Sequence, residues 1–254
     1  MDLGLRDKPV LVAGASRGIG LATARAFLEE GAHVAITARG AETLEFAAES
    51  LAADFPNRAV HAFAADMCEP EQAAAAVGRA AEALGGLSCA VSSVGSGTGP
   101  PGWELDPAAW RELLDLNFTS AVLLCQAAAA AMHPGGALAL IGSIAGLTDV
   151  GAPLPYSAAK AALVRYARDL AARLAPQRIR VNVVAPGNVL FPGGTWDQKL
   201  AERRETIERH IEQTVPMKRF GTPEEIAAAV VFLCSERASF ITGACLVADG
   251  GQLR

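Results

Sequence analysis

The chain has little of what marks several functional classes. It carries no basic excess: over 254 residues the formal net charge is −5 and the sequence pI is near 5.5, which argues against a nucleic-acid-binding footprint. Its most charged run, Glu202-Arg203-Arg204-Glu205 through Glu208-Arg209, alternates in sign and reads as a solvated helix face. Cysteine is sparse: Cys68, Cys89, Cys125, Cys234 and Cys245 are odd in number, scattered and mostly in apolar settings. Neither disulfides nor a metal or redox site is expected from them. The histidines, at positions 33, 61, 133 and 210, are dispersed and stand beside no motif, so they are assigned to structure or surface. Although 51% of the residues are hydrophobic, no apolar stretch has the length and flanks of a membrane span. The N-terminus lacks the basic-then-apolar segment of a secretory signal. A cytoplasmic protein is expected, with neither a membrane nor a nucleic acid as partner.

What is there is order. Apolar runs at 9–13, 33–38, 59–64, 87–92, 136–142, 179–185 and 244–248 read as strands, separated mostly by alanine-rich helical stretches. That alternation predicts an α/β fold: a doubly wound parallel sheet of about seven strands covered by helices on both faces. The alanine clusters at 73–76 and 127–131 sit within periodic segments and read as close-packing helix surfaces. No linker or internal repeat interrupts the chain, so 1–254 is expected to form one Rossmann-type domain.

Two motifs carry chemistry. The first is Ser143 followed, thirteen residues on, by Tyr156-Ser157-Ala158-Ala159-Lys160. If Pro155 lies in the first turn of a helix, Tyr156 and Lys160 are one turn apart on the same face. A phenol titrates near pH ~10, and a neighbouring cation favours its ionised form. By itself this spacing also fits an amphipathic helix with a half-buried tyrosine. The second motif is Val10-Leu11-Val12-Ala13-Gly14-Ala15-Ser16-Arg17-Gly18-Ile19-Gly20, an apolar strand entering a glycine-rich turn before a helix. Glycines 14, 18 and 20 let backbone amides approach a pyrophosphate, with the positive end of the helix behind them. A plain strand-to-helix turn would look similar. The two motifs together are far more specific than either.

With these residues in order, the chain resembles the short-chain dehydrogenase/reductase family, in particular its 3-oxoacyl reductase-like members, from about Lys8 to Gly251. The family's serine, tyrosine and lysine fall on Ser143, Tyr156 and Lys160. Its catalytic asparagine falls on Asn117, in Asp115-Leu116-Asn117. Its proline-glycine matches Pro186-Gly187, and its C-terminal motif matches Asp249-Gly250-Gly251. The resemblance implies that Ser143 binds a substrate carbonyl and Tyr156 gives its oxygen a proton. It implies that Lys160 lowers the tyrosine pKa and holds a nicotinamide ribose, and that Asn117 positions a relay water. It further implies a cofactor-binding set of Gly14, Ser16, Arg17, Gly18, Ile19, Gly20, Arg39, Asp66, Met67, Ser93, Gly95, Gly187 and Val189, with Tyr156 and Lys160.

The end of the second strand narrows the cofactor. Val34-Ala35-Ile36-Thr37-Ala38-Arg39 ends in an arginine where NAD-binding chains hold ribose hydroxyls with an acid. With Arg17 close by, this resembles the NADP(H)-preferring members, although Arg39 also fits an ordinary exposed arginine. Asp66 matches the aspartate that contacts adenine, or caps the next helix.

Three segments depart from the family pattern: Ala13 stands for a usual threonine, Ser92-Ser93-Val94-Gly95 for asparagine-asparagine-alanine-glycine, and Phe191 for a cofactor-binding threonine. The bond that normally joins the first two segments is expected to give way to packing or to a serine. Segments 95–103 and 188–216, the second a lid, should line the substrate pocket. Trp103, Phe191 and Trp196 would form its apolar wall, or pack the lid onto the body. With no obvious anion clamp, a neutral carbonyl compound is favoured: a 3-oxoacyl thioester, cyclic ketone, sugar or steroid-like ketone, taken in the direction of reduction. The alternatives are a catalytically silent NAD(P)-binding sensor or a structural subunit, against which the complete Asn117, Ser143, Tyr156 and Lys160 set argues. By resemblance, a homotetramer is expected, built through the helices at 121–131 and 158–172.

Overall fold

The computed structural model describes residues 2–253. Seven parallel strands form one sheet: β1 (Pro9–Ala13), β2 (His33–Ala38), β3 (Val60–Ala64), β4 (Leu87–Ser92), β5 (Met132–Ile141), β6 (Arg180–Pro186) and β7 (Cys245–Ala248). Their order is β3-β2-β1-β4-β5-β6-β7. The chain winds outward in both directions from β1 and β4, which places a switch point between their carboxyl ends, where ligands bind in open α/β sheets. Strands buried on both faces need continuous apolar sequence rather than alternation, and all seven residues of β6 are buried.

Helices α1 (Gly18–Glu29), α2 (Ala41–Asp54) and α8 (Pro223–Cys234) close one face around Phe27, Leu28, Leu44 and Val230. Helices α3 (Pro70–Leu84), α5 (Ser120–Ala131) and α6 (Leu154–Leu174) close the other. There Ala73, Ala76 and Ala128 of the two alanine clusters are core residues, joined by Ala80 and Ala121, while Ala74, Ala75 and Ala130 face outward. Helix α4 (Pro107–Leu114) runs into α5 through a π-helical turn, Asp115–Thr119. The whole run Pro107–Ala131 is long and apolar enough to cross a membrane by length and composition, which the sequence reading did not anticipate. In this fold its Ala121, Leu124, Cys125 and Ala128 are buried against the sheet and its neighbouring helices.

The predicted strands fall within a residue or two of the observed ones, except that β5 begins at Met132 rather than 136. Its first residues, Met132-His133-Pro134-Gly135-Gly136, carry turn chemistry, and the exposed stretch from His133 to Gly135 has no apolar pattern to betray a strand. A register shift between Leu87 and Cys89 on β4 accommodates them.

Candidate active site

The carboxyl ends of β1, β4, β5 and β6 open into a cleft of about 340 Å³, within the range of small-molecule sites. Glycines shape its floor. Gly14 has φ +79, and a methyl group there would stand 2.7 Å from the Ser93 carbonyl carbon. Helix α1 starts at Gly18, and its N-cap residue, Arg17, makes no side-chain capping bond. The first amides of α1 are therefore left to face an anion together with the positive end of the helix dipole. A tight backbone cradle with unclaimed donors fits a dinucleotide diphosphate.

Ser143, Tyr156, Lys160 and Asn117 all line this cleft, as do Gly14, Arg17, Ile19, Ser93, Gly95, Gly187 and Val189. Pro155 lies in the first turn of α6, which sets Tyr156 and Lys160 one turn apart. Ser143 follows β5, and its Oγ accepts from the Ala145 amide at 3.1 Å, leaving the hydroxyl proton to donate. Lys160 is buried, and its Nζ donates to the Ile141 carbonyl oxygen at 2.9 Å. The same Nζ lies 5.8 Å from the centre of the Tyr156 ring.

The electrostatics differ from the simple expectation that Lys160 lowers the tyrosine. Burial raises the Tyr156 phenol above its ordinary value, the hydrogen-bonding influence of Ser143 opposes the rise, and no contribution from Lys160 accompanies them. Burial also pulls the Lys160 ammonium down to about 8. With no carboxylate partner, both groups are pushed toward their neutral forms.

The π-helical turn swings Asn117 inward. Its Oδ1 accepts from the Ser96 amide at 3.0 Å, while Nδ2 donates to the Ser96 carbonyl at 3.2 Å and the Leu113 carbonyl at 3.1 Å. Asn117 thus ties the loop after β4 to the helix. A methyl group at Gly95 would stand 2.7 Å from Asn117 Oδ1 and 3.2 Å from Lys160 Nζ, so only glycine lets the loop pass between them. Extra turns of this π kind recur at functional sites for such re-aiming.

The remaining expected residues lie around or beyond the cleft. Ser16, Gly18 and Gly20 build the turn without lining the cleft. Arg39 is exposed at the end of β2, with Nη1 3.9 Å from Asp66 Oδ2. Asp66 does not cap α3, whose N-cap is Glu69; its Oδ1 accepts instead from the Cys68 amide at 2.9 Å. Met67 is buried in the core beside it. Arg17 reaches across to the lid, where Nη1 donates to the Gly193 carbonyl at 3.0 Å.

The departures from the expected pattern have physical outcomes. Ala13 and Ser92 pair across β1 and β4, and the Ser93 amide donates to the Ala13 carbonyl at 2.9 Å. A backbone bond therefore joins the two segments, where packing or a serine was expected to stand in for the family's threonine contact. Phe191 packs on the glycine-rich turn, where a methyl group at Gly18 would meet its ring at 2.6 Å. Trp103 is 74% exposed and lies outside the cleft, which removes it from the expected wall.

Helix α7 (Thr195–Thr214) forms most of the lid and is broken at Arg203, whose φ of −146 and ψ of 51 are non-helical. Trp196 and His210 would stand about 21 Å apart along an unbroken helix. The break folds the halves together, and the two rings stack with centroids 5.9 Å apart. Both line the cleft, so His210, assigned by sequence to structure or surface, belongs to the site. Gln252 arrives from the C-terminal loop that Asp249 closes by accepting from the amides of Gly251, at 2.8 Å, and Leu253, at 2.6 Å. Neither residue had a local signal. Only the break in α7 and the turn at Asp249 bring them in.

Known proteins match along nearly all of the chain. A family sequence model described as enoyl-(acyl carrier protein) reductase matches residues 14–252. The 2-(S)-hydroxypropyl-CoM dehydrogenase 3 of Xanthobacter autotrophicus is 34% identical over 250 residues, covering 98% of this chain and 97% of its own. The galactitol 2-dehydrogenase (L-tagatose-forming) of Cereibacter sphaeroides is 39% identical over 245 residues, 94% and 92% of the two chains. The crystal structure of L-sorbose reductase from Gluconobacter frateurii, complexed with NADPH and L-sorbose, superposes with a TM-score of 0.94. It is 33% identical and covers 100% of this chain and 99% of that one. With the doubly wound sheet, the glycine-rich cradle and the serine, tyrosine and lysine in one cleft, these matches establish that the chain belongs to the short-chain dehydrogenase/reductase family.

Proposed function

We propose that this protein is an NADP(H)-dependent oxidoreductase acting on a ketone and its secondary alcohol, with ketone reduction as the favoured direction. The observation that carries the reading is the meeting of Ser143, Tyr156 and Lys160 in the cleft whose floor is the glycine-rich turn. When bound, the nicotinamide supplies or accepts the hydride, and the protein is left to orient and to place charge. Ser143 donates its hydroxyl proton to the substrate oxygen. Tyr156, kept protonated by burial, is the acid that protonates that oxygen, and in the reverse direction its phenolate takes the alcohol proton. Lys160, fixed by the Ile141 carbonyl, stabilises that phenolate as charge develops. Asn117 holds the loop at Ser96 and Gly95 against it.

For the cofactor, Arg39 supports the 2′-phosphate reading, because its guanidinium is 67% exposed at the end of β2. Arg17 is tethered to the lid through the Gly193 carbonyl. The NADPH bound in the Gluconobacter frateurii reductase agrees with this choice. The protein is further proposed to act as one domain in the cytoplasm and to assemble as a homotetramer, which light scattering tests directly.

The decisive experiment follows NADPH absorbance with a panel of ketones and thioesters, an enoyl thioester included. Turnover of at least one ketone is expected, and Tyr156→Phe is expected to abolish it while NADPH still binds. Tight NADPH binding with no turnover of any ketone would sink the enzyme reading, and substantial activity in Tyr156→Phe would reassign the acid.

A further inference from the structure

Beyond Ser143 and Tyr156 the cleft is walled by polar side chains from three separate segments. Asn188 follows β6, His210 comes from the second half of the lid helix, and Gln252 comes from the C-terminal loop. Asn188 Nδ2 donates to Gln252 Oε1 at 3.0 Å. That bond fixes both side-chain amides and leaves Asn188 Oδ1 and Gln252 Nε2 for other partners; among the described residues neither has one. The His210 ring is held by stacking on Trp196, itself braced by Phe220 at 5.6 Å. Both ring nitrogens are without a protein partner among the described residues. Trp196 acts as a support for the imidazole, and Lys199 Nζ lies over the same indole at 4.6 Å.

We infer that this wall reads a polyhydroxylated chain, a neutral ketose or its alditol, with His210 and Gln252 as specificity-determining residues. The inference rests on the oxidoreductase reading and adds to it the substrate class. An apolar ketone body would strip water from the Asn188, His210 and Gln252 groups without replacing it, and each buried group left unpaired costs roughly 5- to 150-fold in affinity. A hydroxylated chain supplies both a donor and an acceptor at every hydroxyl, which suits an acceptor at Asn188, donors at Gln252 and an imidazole that serves in either role. An anionic substrate fits less well. Of the cations lining the cleft besides Lys160, Arg17 is tethered to the Gly193 carbonyl and assigned above to the cofactor, and Lys199 is exposed and is a single point charge on a flexible stem, without the fixed fork that holds an oxyanion.

The test compares kcat/KM for D-fructose and L-sorbose, a phosphorylated ketose, and cyclohexanone, in the wild type and in His210→Phe and Gln252→Leu. Phenylalanine keeps the stack on Trp196 and removes the nitrogens; His210→Leu, which also lacks donor and acceptor, serves if that variant does not fold. A neutral ketose is expected to be the best substrate. Each substitution is expected to lower the ketose-to-cyclohexanone ratio of kcat/KM about 10-fold or more, chiefly through the ketose KM. The inference is overturned if cyclohexanone or the phosphorylated ketose is preferred, or if the variants change ketose and cyclohexanone turnover equally, as a purely structural role requires. Failure to reduce any carbonyl compound would instead remove the oxidoreductase reading itself.

Discussion

Lys160 shows what one buried side chain costs and contributes. Its ammonium lies 4% exposed with a carbonyl as its hydrogen-bond partner, and its pKa falls from 10.5 to about 8. An unfolded lysine keeps its proton to about pH 10.4, so between pH 8 and that value the unfolded chain holds more protons and stability rises with pH. Below about pH 8 the full penalty applies, on the order of 3 kcal/mol at ~1.4 kcal/mol per unit. Lys160→Met should therefore unfold at a higher temperature than the wild type at pH 7 while losing activity. Thermal melts across pH should show the gap closing between about 8 and 10.4. Arg39 is the opposite case, an exposed cation at no cost in burial. Arg39→Asp should lower kcat/KM for NADPH by about 10- to 100-fold, the worth of a charge-assisted phosphate contact, and shift preference toward NADH. Steady-state kinetics with both cofactors measure that ratio.

Among the elements, the interrupted helices matter most. The π-helical turn at Asp115–Thr119 lets one asparagine make three bonds to Ser96 and Leu113. Asn117→Ala leaves the Ser96 amide without its side-chain partner and should cost about 1–3 kcal/mol of stability. Hydrogen exchange at the Ser96 amide should speed up selectively. The strands were legible because parallel sheets demand unbroken apolar runs, and the α6 contribution was legible because Pro155 announces a helix start ahead of Tyr156 and Lys160. The start of β5 was hidden behind the turn-forming Pro134-Gly135-Gly136. The lid break was hidden for a different reason: Arg203 is a good helix former, so its non-helical φ and ψ have no local signal. His210 could not be assigned to the site without that break, because nothing in its neighbouring residues points to Trp196.

Across the whole molecule, one cation joins the sheet to the far end of a helix. Arg180, at the start of β6, is 9% exposed and donates to the carbonyls of Leu233, Cys234 and Ser235, with the last two at 3.2 and 3.0 Å. Those are the carbonyls a helix leaves unpaired at its C-terminus, where the dipole also favours a positive charge. Arg180→Leu should cost about 3 kcal/mol, since the Leu233 and Ser235 carbonyls lose this donor and the Cys234 carbonyl keeps only the Cys89 thiol; denaturant unfolding measures it, with loss of α8 contacts rather than of the cleft as the first change. The lid stands apart from this framework. Of the twenty residues in α7 only Leu200 and Ile211 are buried, and neither belongs to the two clusters that sandwich the sheet. Substitutions in the lid can therefore accumulate without endangering the fold, so adaptation to a new substrate and maintenance of folding are separable problems for a lineage carrying this chain.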